Sequence, residues 1–197
     1  MSAANGDPER AIDGIISVAH LLEEPRLARL YTYILCNEDV TIDEITESMG
    51  IPRTTVYSDT GSLVELGVLT RDETQKTHTY TAVPITLTAA LDGDEYTVTP
   101  TLIEAIGRAP NDQDLSLLIE KHGVSKLAGA LTYVIPYVEG GMTERLAARE
   151  LGLHPAFGIA VLHALRAVVL DMREHDPYFE QIRNARERPL GESEEST

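Results

Sequence analysis

The sequence predicts a mainly α-helical protein with a small β-wing: an N-terminal unit of short helices and a hairpin, then a helical C-terminal domain. Three observations predict it. Apolar residues recur at helical spacing up to Leu66, alternate with β-formers between Val68 and Thr99, and return to helical spacing after Pro100. Capping and stop signals cut the helical stretches into short pieces. A pattern from the first unit recurs in degenerate form in the second.

Asp7-Pro8 reads as a helix start, Asp as N-cap and Pro at the first helical position, followed by Ile12, Ile15, Ile16, Ala19 and Leu22. Pro25 ends that helix and opens another, with Leu27, Leu30, Tyr31, Ile34 and Leu35 on one stripe and an end near Asn37. Thr41-Ile-Asp-Glu44 is a capping box, in which the Thr and Glu side chains satisfy each other's orphan N–H groups. Its helix carries Ile42, Ile45 and Met49 and stops at Gly50. After the Ile51-Pro52 turn a third helix runs from about Arg53 to Leu66, with Val56, Leu63 and Leu66 inward and Gly67 as its cap.

Val68 to Arg71 and His78 to Val83 then read as a hairpin around a polar turn. Ile85 to Leu91 and Glu95 to Thr99 read as a second, joined at Asp92-Gly93. Helical sequence resumes at Thr99-Pro100, with separators at Asn111–Asp114 and Gly140-Gly141. The resulting divisions are an N-terminal helix at 1–24, a helix-turn-helix unit with its wing at 25–84, a hairpin connector at 85–99, a helical domain at 100–188 and an acidic, disordered tail at 189–197.

The repeat pairs Leu27-Ala-Arg-Leu-Tyr-Thr-Tyr33 with Leu127-Ala-Gly-Ala-Leu-Thr-Tyr133, then Thr41, Met49-Gly50-Ile51 and Leu63 with Thr143, Leu151-Gly152-Leu153 and Leu165. The counterpart of the third helix, His154 to Leu170, is apolar nearly all round, with no cation from Phe157 to Leu162. It is expected to be buried, in the domain centre or at a subunit interface, as a degenerate helix-turn-helix given over to packing or dimerisation. A ligand pocket lined by Tyr133, Tyr137, Phe157 and Leu162 is the other reading of this region. The Ile12–Leu22 helix is a second dimerisation candidate.

Composition narrows the function. Asp plus Glu number 32 against 16 Lys plus Arg, only three of them lysines, for a net charge of −16. Acid excess can confer solubility, mark a basic partner or reflect adaptation to molar intracellular salt, as in halophilic archaea; little lysine with retained arginine favours the last. There the Debye length is only ~3 Å, so bulk repulsion from a polyanion is screened. The single cysteine, Cys36, excludes an internal disulfide and reads as an inert, core-facing thiol. No run approaches ~18 apolar residues, and the N-terminus lacks the regions of a signal peptide, so a cytoplasmic protein is expected. There is no phosphate-binding loop, no paired metal-ligand spacing among the six histidines and no nucleophile–base arrangement. Neither an enzyme nor a cofactor is expected; a small-molecule effector is left open.

Three short helices, the second and third joined by a tight turn, and then a hairpin make a winged helix. Its third helix presents Arg53, Thr54, Thr55, Tyr57, Ser58 and Ser62 away from the core, and its hairpin tip offers Arg71, Gln75, Lys76 and His78. Arginine pairs with guanine edges and hydroxyls bond phosphates or bases, so this face suits a major groove and the wing suits a backbone or minor groove. Asp59 and Glu65 add acid to the same helix, and Gly61 weakens it by ~1 kcal/mol relative to Ala.

Ile51-Pro-Arg-Thr-Thr-Val-Tyr-Ser58, with Leu63-Val-Glu-Leu-Gly-Val-Leu69, resembles the recognition helix and exit of archaeal and bacterial winged-helix transcription regulators of the TrmB, MarR and ArsR types. The whole chain is similar to haloarchaeal winged-helix proteins with an uncharacterised C-terminal domain. The resemblance implies a regulator of transcription that binds double-stranded DNA, as a homodimer on a palindrome. The alternative is a protein-interaction module on a tandem winged-helix scaffold that does not touch DNA.

Overall fold

The computed structural model describes residues 8–74, 76–91 and 94–187. The Asp7 cap, Gln75, the Asp92-Gly93 turn and the 189–197 tail lie outside the described residues.

Helices α1 (Pro8–Glu23) and α2 (Pro25–Cys36) meet at Pro25, which occupies the first helical position of α2. β1 (Val40–Thr41) leads into α3 (Ile42–Met49), and α4 (Arg53–Glu65) follows. β2 (Leu69–Asp72) and β3 (Thr79–Ala82) form the wing; β4 (Leu87–Leu91) and β5 (Asp94–Val98) form the second hairpin. Then come α5 (Pro100–Arg108), a 3₁₀ turn (Ala109–Asn111), α6 (Gln113–Val138), α7 (Glu144–Glu150), α8 (Pro155–Met172) and α9 (Tyr178–Glu187). This is an N-terminal winged helix followed by a helical C-terminal domain.

The capping box forms as expected: Glu44 N donates to Thr41 Oγ1 at 3.3 Å, and Thr41 N donates to the Glu44 carboxylate at 2.8 Å. The latter bond holds the Glu44 carboxyl below its ordinary range. Gly50 closes α3 in the left-handed conformation, φ 65°. Ile45, Val56 and Leu63 are fully buried, while Met49 and Ile51 are half-buried at the edge of the same cluster.

The wing has a third strand that the sequence reading omits. β1 pairs antiparallel with β3 (Val40↔Tyr80), and β3 with β2 (Leu69↔Ala82), giving the order β1-β3-β2. Two residues ahead of a helix cap are too short to show an alternating pattern.

One apolar cluster runs from Leu21 to Phe179 through both halves of the chain. Its joint is α2 against α5. A Cβ at Gly107 would lie 2.8 Å from the Arg29 backbone nitrogen, so α5 rests on the backbone of α2 where only glycine fits. Beside it, Thr32 donates to Glu104, and Arg108 donates to Glu104 at 2.5 Å and to Asp171 at 2.8 Å. Cys36 is half-buried in this joint, and burial pushes its thiol up to about 11, which suits the inert role expected of it. Tyr31 donates to the Val83 carbonyl at 2.9 Å and accepts from Ile85 N at 3.1 Å, fixing the chain as it leaves the wing. Buried Asp176 accepts from Thr101 N at 3.0 Å and Thr101 Oγ1 at 2.6 Å, tying the loop before α9 to the start of α5.

The repeat is geometric as well as sequential. Thr143 caps α7 as Thr41 caps α3, and Gly152 (φ 63°) closes α7 as Gly50 closes α3. The residue ahead of α8, His154 (φ −55°, ψ 135°), matches Pro52 ahead of α4 (φ −55°, ψ 137°). Within one chain α8 is buried on one side only. Gly158, Val161, Leu162, Leu165, Val168, Val169 and Met172 face the core, but Ile159 and Leu170 stand on an open side. By length and composition α8 is also apolar enough to cross a membrane, contrary to the reading that no run approaches a span; it packs on α6 as a core helix and carries Arg166 and Asp171. A further break unseen in the sequence is Gly123 (φ 81°), which kinks α6.

Candidate nucleic-acid interface

α4 packs on α2, α3 and β2. Its inner side is Val56, Asp59, Thr60 and Leu63; Arg53, Thr54, Tyr57, Ser58, Ser62 and Glu65 are exposed, and Thr55 is half-buried on the flank. The packing thus leaves the outer side of the rod open along its length. Tyr57 is 52% exposed rather than packed on the hairpin, and the Arg53 guanidinium lies over its ring, 5.5 Å from the centroid. A Cβ at Gly61, in the middle of the outer side, would meet nothing within 4 Å, so packing does not require the glycine.

The charges are arranged differently from the sequence reading. Asp59 does not add acid to the outer side: it turns inward, 2.9 Å from Arg26 Nε at the start of α2. Burial pushes its carboxyl above the ordinary range, against the pull of Arg26. Arg53 is ion-paired with Asp43, an acid in the first turn of α3. The sequence shows that acid only as part of a capping motif, so its reach across to α4 is not visible there.

On the wing, Arg71 lies on β2 and is paired with Glu73. Lys76 and His78 are exposed at the tip. Asp72 accepts from Thr74 N at 2.8 Å, which shapes the start of the turn and holds its carboxyl below the ordinary range. The predicted groove residues therefore share one face of α4 and the predicted wing residues share one hairpin. Both arginines of the set carry a carboxylate in place of a free valence.

The four residues of the expected ligand pocket all pack into the one apolar cluster, but Tyr133 and Phe157 line different clefts. Tyr133 lines a cleft of about 940 Å³ between β4–β5, α6 and α9; Phe157 lines a separate one of about 500 Å³; Leu162 is fully buried.

Residues 27–86 match the family model described as sugar-specific transcriptional regulator TrmB. Residues 109–174 match a family of unknown function, DUF7437. The first match begins in α2 and ends just beyond the wing, so it covers the winged helix; the second covers α6, α7 and α8. No curated protein and no solved structure matches the chain.

Proposed function

We propose, from a TrmB-type winged helix at residues 27–86, that the protein is a DNA-binding transcription regulator acting inside the cell as a homodimer. The observation that carries this reading is the open outer side of α4 within the matched segment. Arg53, Thr54, Thr55, Tyr57, Ser58 and Ser62 enter the major groove, and Arg71, Lys76 and His78 meet the backbone or the minor groove. Binding proceeds by exchange of ion pairs: a phosphate or a guanine edge takes the place of Asp43 on Arg53, and a phosphate takes the place of Glu73 on Arg71. The freed carboxylates stay at the surface, where both are exposed. The TrmB match ends before the C-terminal domain, so the sugar specificity in that family's name is not carried over to this chain. The match supports a regulator and not an enzyme.

Selection from random DNA pools in molar KCl, with wild type and Arg53→Ala side by side, tests the proposal. Wild type enriches a defined motif, and the variant loses it at the bases next to Arg53, by about 1–3 kcal/mol per base pair. Enrichment by neither protein overturns the reading. One observation favours a protein-interaction module instead: Asp43, Glu44 and Glu47 on α3 and Asp72 and Glu73 on the wing leave acid in excess around α4. That module would enrich nothing in the same pools.

A further inference from the structure

The larger cleft, between β4–β5, α6 and α9, has three features in its wall that packing does not account for. The first is Lys126, which is half-buried there and has no carboxylate beside it among the described residues. The chain carries two acids for every Lys or Arg, yet this ammonium is left unpaired. Glu150, the one acid among the described residues of the wall, is taken up by Arg149, which donates to it at 2.9 Å. The second is Gly129, one turn further along the same face of α6. Glycine in a helix interior costs ~1 kcal/mol relative to alanine. A Cβ at Gly129 would meet nothing within 4 Å, so no neighbour demands the glycine, and its bare backbone opens onto the cleft. The third is a pair of hydroxyls. Tyr133 and Tyr178 are half-buried in the wall, and neither phenol makes a hydrogen bond among the described residues. The hairpin side differs: Thr88 and Thr97 satisfy each other at 3.2 Å.

We propose that this cleft binds a small organic acid, its phosphate or carboxylate on Lys126 and its hydroxylated remainder against Gly129 and the phenols of Tyr133 and Tyr178. Volume argues for a small molecule: about 940 Å³ falls within the ~300–1,000 Å³ of metabolite-sized sites. Charge argues for an anion. With Glu150 neutralised by Arg149, Lys126 brings the uncompensated charge of the wall. His122, exposed just before the Gly123 break, adds a ring that can donate to the same oxyanion. A lysine is a compact point charge on a flexible stem, so it suits either head group. Spacing argues for a ligand that has both an anionic and a neutral part. Lys126, Gly129 and Tyr133 follow at three- and four-residue steps on one helical face, which sets the cation, the open backbone and a free hydroxyl in a line. An occupant there takes the place of water on the ammonium and on both phenols, and covers the backbone that Gly129 leaves bare. The wall begins at Thr88, beyond the TrmB match, so the proposal stands apart from DNA binding.

The test is titration calorimetry on the full chain in molar KCl with four probes: glycerol 3-phosphate, glycerate, uncharged glycerol and inorganic phosphate. Binding of glycerol 3-phosphate, glycerate or both, without binding of glycerol, supports the proposal when the dissociation constant rises about tenfold or more in Lys126→Met and in Gly129→Leu. Lys121→Met removes a cation from the neighbouring, smaller cleft and is expected to leave the constant unchanged. The anion that binds tells phosphate from carboxylate as the head group. Binding of neither organic anion overturns the proposal, and so does binding that Lys126→Met leaves intact. Inorganic phosphate binding alone shows an adventitious ion only and overturns it. Glycerol binding as tightly as the anions overturns the role of Lys126, and equal weakening by Lys121→Met shows net charge at work rather than a site. Lys126→Met removes the charge, whereas Gly129→Leu keeps it and fills the cleft, so if one of them loses its helical circular dichroism the other decides.

Discussion

Asp59 shows how far a single residue's role depends on the side to which it turns. Its carboxylate is sunk against Arg26, and burial outweighs the pairing, so the folded chain holds a proton there more tightly than the unfolded chain does. A carboxyl whose folded pKa lies above its unfolded value contributes stability that is fully present below the unfolded value and is lost as pH rises through the folded one. Asp59→Asn is therefore expected to melt no lower than wild type at pH 7, with the difference between the two closing by about pH 4, near the unfolded value. Arg26 is half-exposed and remains hydrated when its partner becomes neutral. Denaturant melts of both proteins across this range check it; a variant less stable than wild type at pH 7 shows the ion pair to outweigh the burial. The sequence places Asp59 on α4 but not on its inner side. Helical spacing assigns that side to apolar residues, and the compensating arginine lies 33 positions away.

At the scale of elements, two glycines separate a packing requirement from its absence. Gly107→Ala drives a Cβ to 2.8 Å from the backbone of α2 and is expected to destabilise by about 1–3 kcal/mol, since backbone cannot swing aside as a side chain can. Gly61→Ala enters open space in a helix interior and is expected to stabilise by about 0.5–1 kcal/mol. Under the proposed function the same alanine weakens DNA binding, because it stands between α4 and the duplex. Thermal melts give the two signs; a stabilised Gly61→Ala that binds DNA as wild type does shows that no partner approaches the rod there. The elements themselves were largely legible. Capping residues are local, so Thr41, Gly50 and Thr143 marked their helix ends without any knowledge of the tertiary fold. What escaped was non-local or too short: the third wing strand at Val40–Thr41, the Arg53–Asp43 pair and the kink at Gly123. Composition shows how apolar α8 is but not which of its sides the same chain covers.

For the whole molecule, under the proposed function, the balance of charge sets how DNA binding responds to salt. An ordinary basic site releases one set of counterions for each phosphate contact, with a slope of about −0.9 in log K against log salt. Arg53 and Arg71 arrive already neutralised by Asp43 and Glu73, and each exchange leaves a carboxylate that recruits a cation. Three cationic contacts per protomer (Arg53, Arg71 and Lys76), six in the homodimer, are therefore expected to give a slope clearly shallower than about −5.4. Asp43→Asn combined with Glu73→Gln is expected to steepen it and raise affinity at low salt. Equilibrium binding over a KCl series measures this, and identical slopes for the two proteins show that the ion pairs do not open on binding.

The close seating of α5 on α2 has a consequence for any palindrome the protein reads. α2 belongs to the winged helix, yet its backbone is in contact with the opposite half of the chain at Gly107. Under the proposed function, the rod that faces the duplex is therefore held in a fixed orientation on the C-terminal domain. The rotational phase between half-sites is then dictated by protein geometry, and inserting about half a turn of DNA, ~5 base pairs, carries the second rod to the wrong side of the double helix.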